Sequence, residues 1–305
     1  MNLTGVPGRI LVPLDGSALA ERALPVAAEL SRLAGAPVEL VHVHVPISPD
    51  PIHVEGLPVI DEHMRSLRRD HERAYLERLR ERLGAEASVS TAVGDGPVAP
   101  GLAAHARAVG AWLIVLTTHG RGGLERMWLG SVADELARVS PVPILLVRPE
   151  PPPAGRFARI LAPLDGSKTS EAILEHAARL ARLGSGAEIV LLRVVQPLVA
   201  AVWLPEGAVA AAAPQEDLPG RERRAREYLD AAARSLAGLR VRPRVEVAAS
   251  VAAAILQTAQ AEACDLVALA THGRSGLARV ALGSVTDKVV RASHTPVLLF
   301  RPPPP

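Results

Sequence analysis

The sequence has little that would cross-link, stack or span a membrane. A single cysteine, Cys264, allows no disulfide framework and no zinc-type cysteine cluster within the chain, which fits a reducing, cytoplasmic setting. Aromatic residues are only 2%, too few for the stacking platforms of single-strand nucleic acid binders. Nor does one sign of charge dominate: 34 Lys and Arg stand against 32 Asp and Glu, so nucleic acid is not expected as a partner. The apolar segment from Leu198 to Pro214 is interrupted by Pro205, Glu206 and Gly207, so it falls short of the ~20 residues of a membrane helix. The amino terminus has no basic start leading into an apolar run, so neither a signal peptide nor a membrane partner is expected.

What is present is a repeat. Ile10-Leu-Val-Pro-Leu-Asp-Gly-Ser17 returns as Ile160-Leu-Ala-Pro-Leu-Asp-Gly-Ser167, with one difference in eight positions. Thr118-His-Gly-Arg-Gly-Gly-Leu-Glu-Arg-Met-Trp-Leu-Gly-Ser-Val132 returns at 271–285 with 11 of 15 positions identical. The offsets are 150 and 153 residues, too long for a solenoid and right for a duplicated domain. With 49% hydrophobic residues, each half can bury a core of its own. The expected domains are 1–149 and 156–305, joined by a proline-rich linker at 150–155.

Strand and helix patterns alternate along the first half. Apolar Ile10–Leu14 ends at a turn, and Ala18–Ala34 has helical spacing that stops at Gly35. Val38–Val45 is β-branched. Asp61–Leu83 reads as an amphipathic helix with Met64, Leu67, Tyr75, Leu79 and Leu83 as its stripe. A strand at Ala87–Val93, a helix at Val98–Val109, a strand at Leu113–Thr117, a helix at Val132–Val139 and a strand at Val142–Val147 complete it. The second half repeats the order, with strands at Ile160–Leu164, Glu188–Val195, Val241–Ala248, Leu266–Ala270 and Val297–Phe300. This alternation predicts an α/β fold with parallel strands and helices on both faces. Ligands in such sheets bind beyond the carboxyl ends of the strands, where Asp15 and the loop after Thr117 both fall.

That loop is suited to an anion. A strand, a glycine-rich loop and a helix start offer free backbone N–H groups and the positive end of a helix dipole. Neither a P-loop nor a Gly-x-Gly-x-x-Gly fingerprint occurs. Instead Gly120 and Gly273 are each followed by nine residues and then Gly-Ser, Gly130-Ser131 and Gly283-Ser284. Ser131 and Ser284, each three residues before an aspartate (Asp134, Asp287), also read as helix N-caps in a capping box.

Taken together, Pro-Leu-Asp-Gly-Ser at the first turn and Thr-His-Gly-Arg-x-Gly-Leu…Leu-Gly-Ser-Val, in both halves, resemble the universal stress proteins. The resemblance implies two tandem flavodoxin-like (adenine nucleotide alpha hydrolase-like) domains, each a sheet of five parallel strands with helices on both faces. It implies an internal pseudo-dimer in which Val142–Val147 pairs with Val297–Phe300, with room for a further homodimer. In the ATP-binding branch the motif is Gly-x-x-Gly-x9-Gly-Ser/Thr. Carried across, Gly120, Arg121, Gly123, Gly130, Ser131 and Val132 form the phosphate loop of the first half, and Gly273, Arg274, Gly276, Gly283, Ser284 and Val285 that of the second. Thr117 and Ala270 stand where that branch has its first glycine, placing a Cβ on the ribose side. Asp15 with Gly16, and Asp165 with Gly166, match the ribose-binding turn, whose plain role is an Asx-turn. Val43 and Val194 match the position whose backbone meets adenine. The first half keeps a Gly94-Asp95 turn that the second replaces with Ala249-Ser250, which ranks the first site ahead.

The cofactor expected is ATP, with ADP or AMP and Mg as variants, in a stress-response regulator or sensor. The alternatives are a slow Mg-dependent ATPase and an interaction module that binds no nucleotide. No catalytic residue is assigned, because no second acidic motif accompanies Asp15 and Asp165. Arg121 and Arg274 are either phosphate ligands or solvated charges. His119 and His272 read as loop histidines bonded to backbone. His42 and His44 share a strand face without a carboxylate at fixed spacing, so metal binding is not expected. Cys264 reads as a small buried hydrophobe.

Overall fold

A computed structural model describes residues 8–44, 53–54, 57–58, 62–84, 88–118, 129–148, 157–184, 186–197, 217–271 and 282–302. The first half runs β1 (Ile10–Pro13), a 3-10 turn (Ala20–Ala23), α1 (Leu24–Ala34), β2 (Val38–His44), a small hairpin of β3 (His53–Val54) and β4 (Leu57–Pro58), α2 (Glu62–Leu83), β5 (Val89–Asp95), α3 (Val98–Ala108), β6 (Leu113–Thr117), α4 (Ser131–Val139) and β7 (Ile144–Val147). The second half runs β8 (Arg159–Pro163), α5 (Lys168–Glu171), α6 (Ile173–Leu183), β9 (Glu188–Val195), α7 (Leu218–Arg234), β10 (Arg240–Val247), α8 (Val251–Ala261), β11 (Leu266–Ala270), α9 (Ser284–Ala292) and β12 (Val297–Phe300).

The ten long strands form one sheet in the order β10-β9-β8-β11-β12-β7-β6-β1-β2-β5. Within each half the five strands are parallel and ordered third, second, first, fourth, fifth. The order therefore reverses between the first and fourth strands, and a crevice opens at their carboxyl ends. The halves join where β12 meets β7 antiparallel, with Val297 opposite Leu146, Leu298 opposite Leu145 and Leu299 opposite Ile144. Residues 145, 146, 298 and 299 of this seam are at most 1% exposed. The pairing thus covers two apolar edges that would otherwise invite association.

The strands are buried on both faces, and alternate residues serve opposite cores. Ile10, Val12, Leu145 and Leu298 join α1, α2, α6 and α7 in one cluster. Leu11, Ile144, Leu146 and Leu299 join α3, α4, α8 and α9 in the other. Both clusters run through both halves, as one doubly wound sheet requires.

Two local expectations are corrected. Ala18–Ala34 is not one helix: a 3-10 turn precedes α1, and Pro25 sits in its first turn, where the missing N–H costs nothing. In α2 the buried stripe is Leu76, Leu79 and Leu83, while Leu67 is half exposed and belongs to the solvated face.

Candidate functional site

At the end of β1 the Leu14 N–H donates to Val41 O, and at the end of β8 the Leu164 N–H donates to Leu192 O, both at 2.8 Å. The chain then turns at Asp15-Gly16 and Asp165-Gly166. Both glycines have φ of +84°, the left-handed region where a side chain is strained. The aspartates do close Asx-turns: Ser17 N–H donates to Asp15 Oδ1 and Ser167 N–H to Asp165 Oδ1, each at 2.9 Å. Ser167 Oγ also donates to Asp165 Oδ1 at 2.6 Å and accepts from Ser170 N–H at 3.1 Å, which caps α5. The carboxylates are thereby held at the mouth of the crevice.

The helix starts are pinned to the same edge. After β6 the chain leaves at Thr118 and returns at Gly130, whose N–H donates to Thr118 O at 2.8 Å. After β11 it leaves at Thr271, and the Gly283 N–H donates to Thr271 O at 2.9 Å. A Cβ at Gly283 would lie 2.9 Å from that same oxygen, so the close return requires glycine there. The capping-box expectation is corrected. Gly130 and Gly283 are the N-caps, and Ser131 and Ser284 begin the helices instead. Asp134 pairs with Arg138, and Asp287 with Arg291 at 2.8 Å, one turn along each helix rather than back at the cap. The first intrahelical bond of α9 is from Asp287 N–H to Gly283 O. The N–H groups of Ser284, Val285 and Thr286 precede it and, with the dipole, face the sheet edge.

In the second half these parts enclose a cavity of about 430 Å³. Asp165 lines it beside Val194 at the end of β9, Ala270 at the end of β11, and Gly283, Ser284 and Val285. Six sequence-selected residues thus share one space, while Gly166 shapes the turn behind it. Leu164, Leu192, Ile255 and Leu269 supply apolar wall, and Thr286 donates its hydroxyl to Ala270 O at 3.1 Å. In the first half Asp15, Gly16, Val43, Thr117, Gly130, Ser131 and Val132 occupy the matching edge, with Thr117 buried as the last residue of β6. Gly120, Arg121, Gly123, Gly273, Arg274, Gly276, His119, His272 and the segment 198–214 lie outside the described residues.

Sequence reasoning missed two polar features. Arg193 lines the cavity and donates from Nη1 to Leu164 O at 3.1 Å. Its counterpart is His42, whose Nδ1 lies 2.8 Å from Leu14 O. A carboxylate does join His42 and His44: Glu72, from α2, lies 2.9 Å from His44 Nδ1 and 3.5 Å from His42 Nε2. Tyr75 and Tyr228 share the 153-residue offset, which aligns Glu72 with Ala225 in the second half. The difference marks the cluster as particular to the first half. Among the described residues, no group of three His, Cys, Asp or Glu converges as metal ligands would. Cys264 is buried, and that burial pushes its thiol up to about 12, in keeping with an inert hydrophobe.

A sequence model of the universal stress protein family matches residues 7–148 and again 156–301. The chain belongs to the universal stress protein family. It is 28% identical over 302 residues to a universal stress protein of Mycolicibacterium smegmatis, covering 96% of this chain and 97% of that relative. A universal stress protein of Thermus aquaticus is 36% identical over 146 residues, covering 46% of this chain and 97% of its own length. The crystal structure of a universal stress protein from Archaeoglobus fulgidus superposes with a TM-score of 0.68 at 17% identity over 96% of each chain, a likeness of fold. The tandem arrangement is therefore a property of full-length relatives too. Among the described residues, no helix is long and apolar enough to cross a membrane.

Proposed function

We propose that this universal stress protein binds an adenine nucleotide at the carboxyl edge of its sheet, including the cavity of its second half, and acts as a nucleotide-responsive regulator or sensor. The observation that carries this reading is the convergence of Asp165, Val194, Ala270, Gly283 and Ser284 on one cavity. Its size falls within the range of small-ligand sites, roughly 300–1,000 Å³. The groups fit the ligand in sequence along the crevice. In this reading Asp165, which lines the cavity, accepts from ribose hydroxyls, and the backbone of Val194 meets the base. The N–H groups of Ser284 and Val285, at the positive end of α9, suit phosphate oxygens. Ala270 adds one methyl where the ATP-binding branch has glycine and narrows the ribose side. The units carrying the two sites are 1–149 and 156–305, and ATP is the preferred ligand, with ADP and AMP as competitors.

The test is to denature the purified protein, chromatograph the supernatant and count adenine nucleotide per chain. Near one equivalent, or a millimolar-ATP rise in Tm if the protein purifies empty, supports the reading. No nucleotide and no shift with ATP, ADP or AMP contradicts it and leaves an interaction module.

A further inference from the structure

We infer that the free edge of β5 is a homodimer surface, at which the β5 strands of two copies of this chain pair antiparallel and extend the sheet. The inference does not depend on the nucleotide reading. β10 and β5 end the ten-stranded sheet, so each has one side without a neighbouring strand. Duplication makes them equivalent: Thr91 stands opposite Leu40 and, at the same position of the second half, Pro243 stands opposite Leu191. One of these edges is closed and the other open.

The strand ends fix which backbone groups point outward. Along a strand, successive residues turn their N–H and C=O to opposite sides. Ser88 O accepts from Val38 N–H at 2.8 Å and Gly96 N–H donates to His44 O at 3.3 Å, so the even-numbered residues of β5 face β2. Val89, Thr91, Val93 and Asp95 therefore turn theirs outward. In the second half Ala248 N–H donates to Val195 O at 3.1 Å, which by the same alternation turns Val241, Pro243, Val245 and Val247 outward. The outward side of β10 is blocked at its middle. Pro243 has no N–H, and its carbonyl accepts from Arg226 Nη1 of α7 at 2.8 Å. Arg240, Arg242, Arg244 and Glu246 add a charge at every second position, and charged edge strands resist pairing. β5 has none of these devices. Thr91 keeps its N–H. The counterpart of Arg226 is Arg73, since Tyr75 and Tyr228 align, and Arg73 pairs with Asp70 along α2 at 3.4 Å. From Ser88 to Gly94 no residue is charged. Among the described residues, no group bonds the outward N–H or C=O of Val89, Thr91, Val93 or Asp95.

A second copy suits this edge because the edge complements itself. With a twofold axis at Ala92, Thr91 lies opposite Val93 of the other copy and Val89 opposite Asp95. Every outward residue then meets another outward residue, as hydrogen-bonded antiparallel pairs require. The two ends of the strand carry opposite charges. Asp95, at the carboxyl end, is half exposed beside Arg69, and Arg9, at the amino end, donates from Nη1 to Ser90 Oγ at 3.1 Å. Antiparallel pairing brings the acid of each copy toward the arginine of the other, whereas parallel pairing sets like against like. β7 and β12 already join the two halves by the same antiparallel arrangement. One short strand per copy makes a modest interface, so dimerisation is expected at micromolar concentration.

The test is sedimentation velocity of the full chain from about 1 to 200 μM, with circular dichroism melts as the control of fold. Wild type is expected to shift from monomer toward dimer across this range. Thr91→Pro, which gives β5 the residue that β10 has, stays monomeric at every concentration. Thr91→Val keeps the N–H, loses only the hydroxyl bond to Glu77 Oε1 at 2.7 Å, and dimerises as wild type does. Pro243→Thr combined with Arg226→Gln opens the second edge and yields species larger than a dimer. Hydrogen exchange of wild type, read by mass spectrometry over 88–95, slows as concentration rises, a result that needs no variant. Wild type that stays monomeric throughout, or that dimerises without added protection at 88–95, overturns the inference. So does a folded Thr91→Pro variant that dimerises like wild type.

Discussion

Gly283→Ala is the sharpest single perturbation of the site. Its backbone, φ −55° and ψ 144°, suits alanine, so the substitution brings no conformational strain of its own. The cost is steric: the new Cβ would stand 2.9 Å from Thr271 O, a main-chain atom that cannot swing aside. That oxygen also accepts the Gly283 N–H at 2.9 Å, so relief must lengthen this bond and push the start of α9 away from β11. Overpacking of this kind costs about 1–3 kcal/mol, which for domains of this size lowers Tm by roughly 2–4 °C per kcal/mol. The displaced group is the N–H cluster proposed for phosphate, so affinity falls beyond what stability alone explains. The assay pairs a thermal melt with an ATP titration of the same samples. Unchanged Tm together with unchanged ATP affinity would refute both the close approach and its role in the site.

Further predictions concern the turn, the seam and pH. Asp165→Asn keeps an Oδ acceptor for Ser167 N–H and leaves unfolding stability within about 1 kcal/mol of wild type, yet weakens ATP binding; equal affinity would remove Asp165 from the ribose role. Leu298→Ala, at a fully buried seam position, costs about 2–5 kcal/mol in urea unfolding and loosens the junction of the halves; a change below 1 kcal/mol would show that β12 and β7 do not pair. Burial pushes the His176 imidazole below its ordinary value, beside Phe300 at a ring distance of 4.1 Å. The unfolded chain therefore binds its proton first, so this residue withdraws stability as pH falls below about 6.5 toward the lowered folded value. His176→Phe should flatten that part of the Tm–pH curve between pH 7.5 and 5.0, and an unaltered slope would place the acid sensitivity elsewhere.

Much of this was legible in the chain because duplication doubles the signal. Ile10–Ser17 and Ile160–Ser167 fixed both first strands and the aspartate turns, and apolar runs such as Leu113–Thr117 carry the burial of central parallel strands. Helix starts were harder. Ser131 with Asp134 satisfies the capping-box pattern in sequence, yet the return of the loop to Thr118 makes Gly130 the cap and frees the aspartate for Arg138. Pattern alone gave Leu67 a place in the stripe of α2, but the core reaches only the later turns, around Leu76, Leu79 and Leu83. Glu72 escaped notice because it reaches His42 and His44 through tertiary packing of α2 on β2, and is 28 residues from His44 along the chain. That it belongs to the first half alone shows only when the halves are compared position by position.

The most direct measurement is a crystal structure of the full chain grown with ATP and Mg. The account predicts nucleotide density along the second crevice, with the base against Val194, ribose hydroxyls at Asp165 and phosphate oxygens within hydrogen-bond distance of the Ser284 and Val285 N–H groups. Nucleotide bound elsewhere, or a crevice that stays without it at saturating ATP, would contradict the central claim.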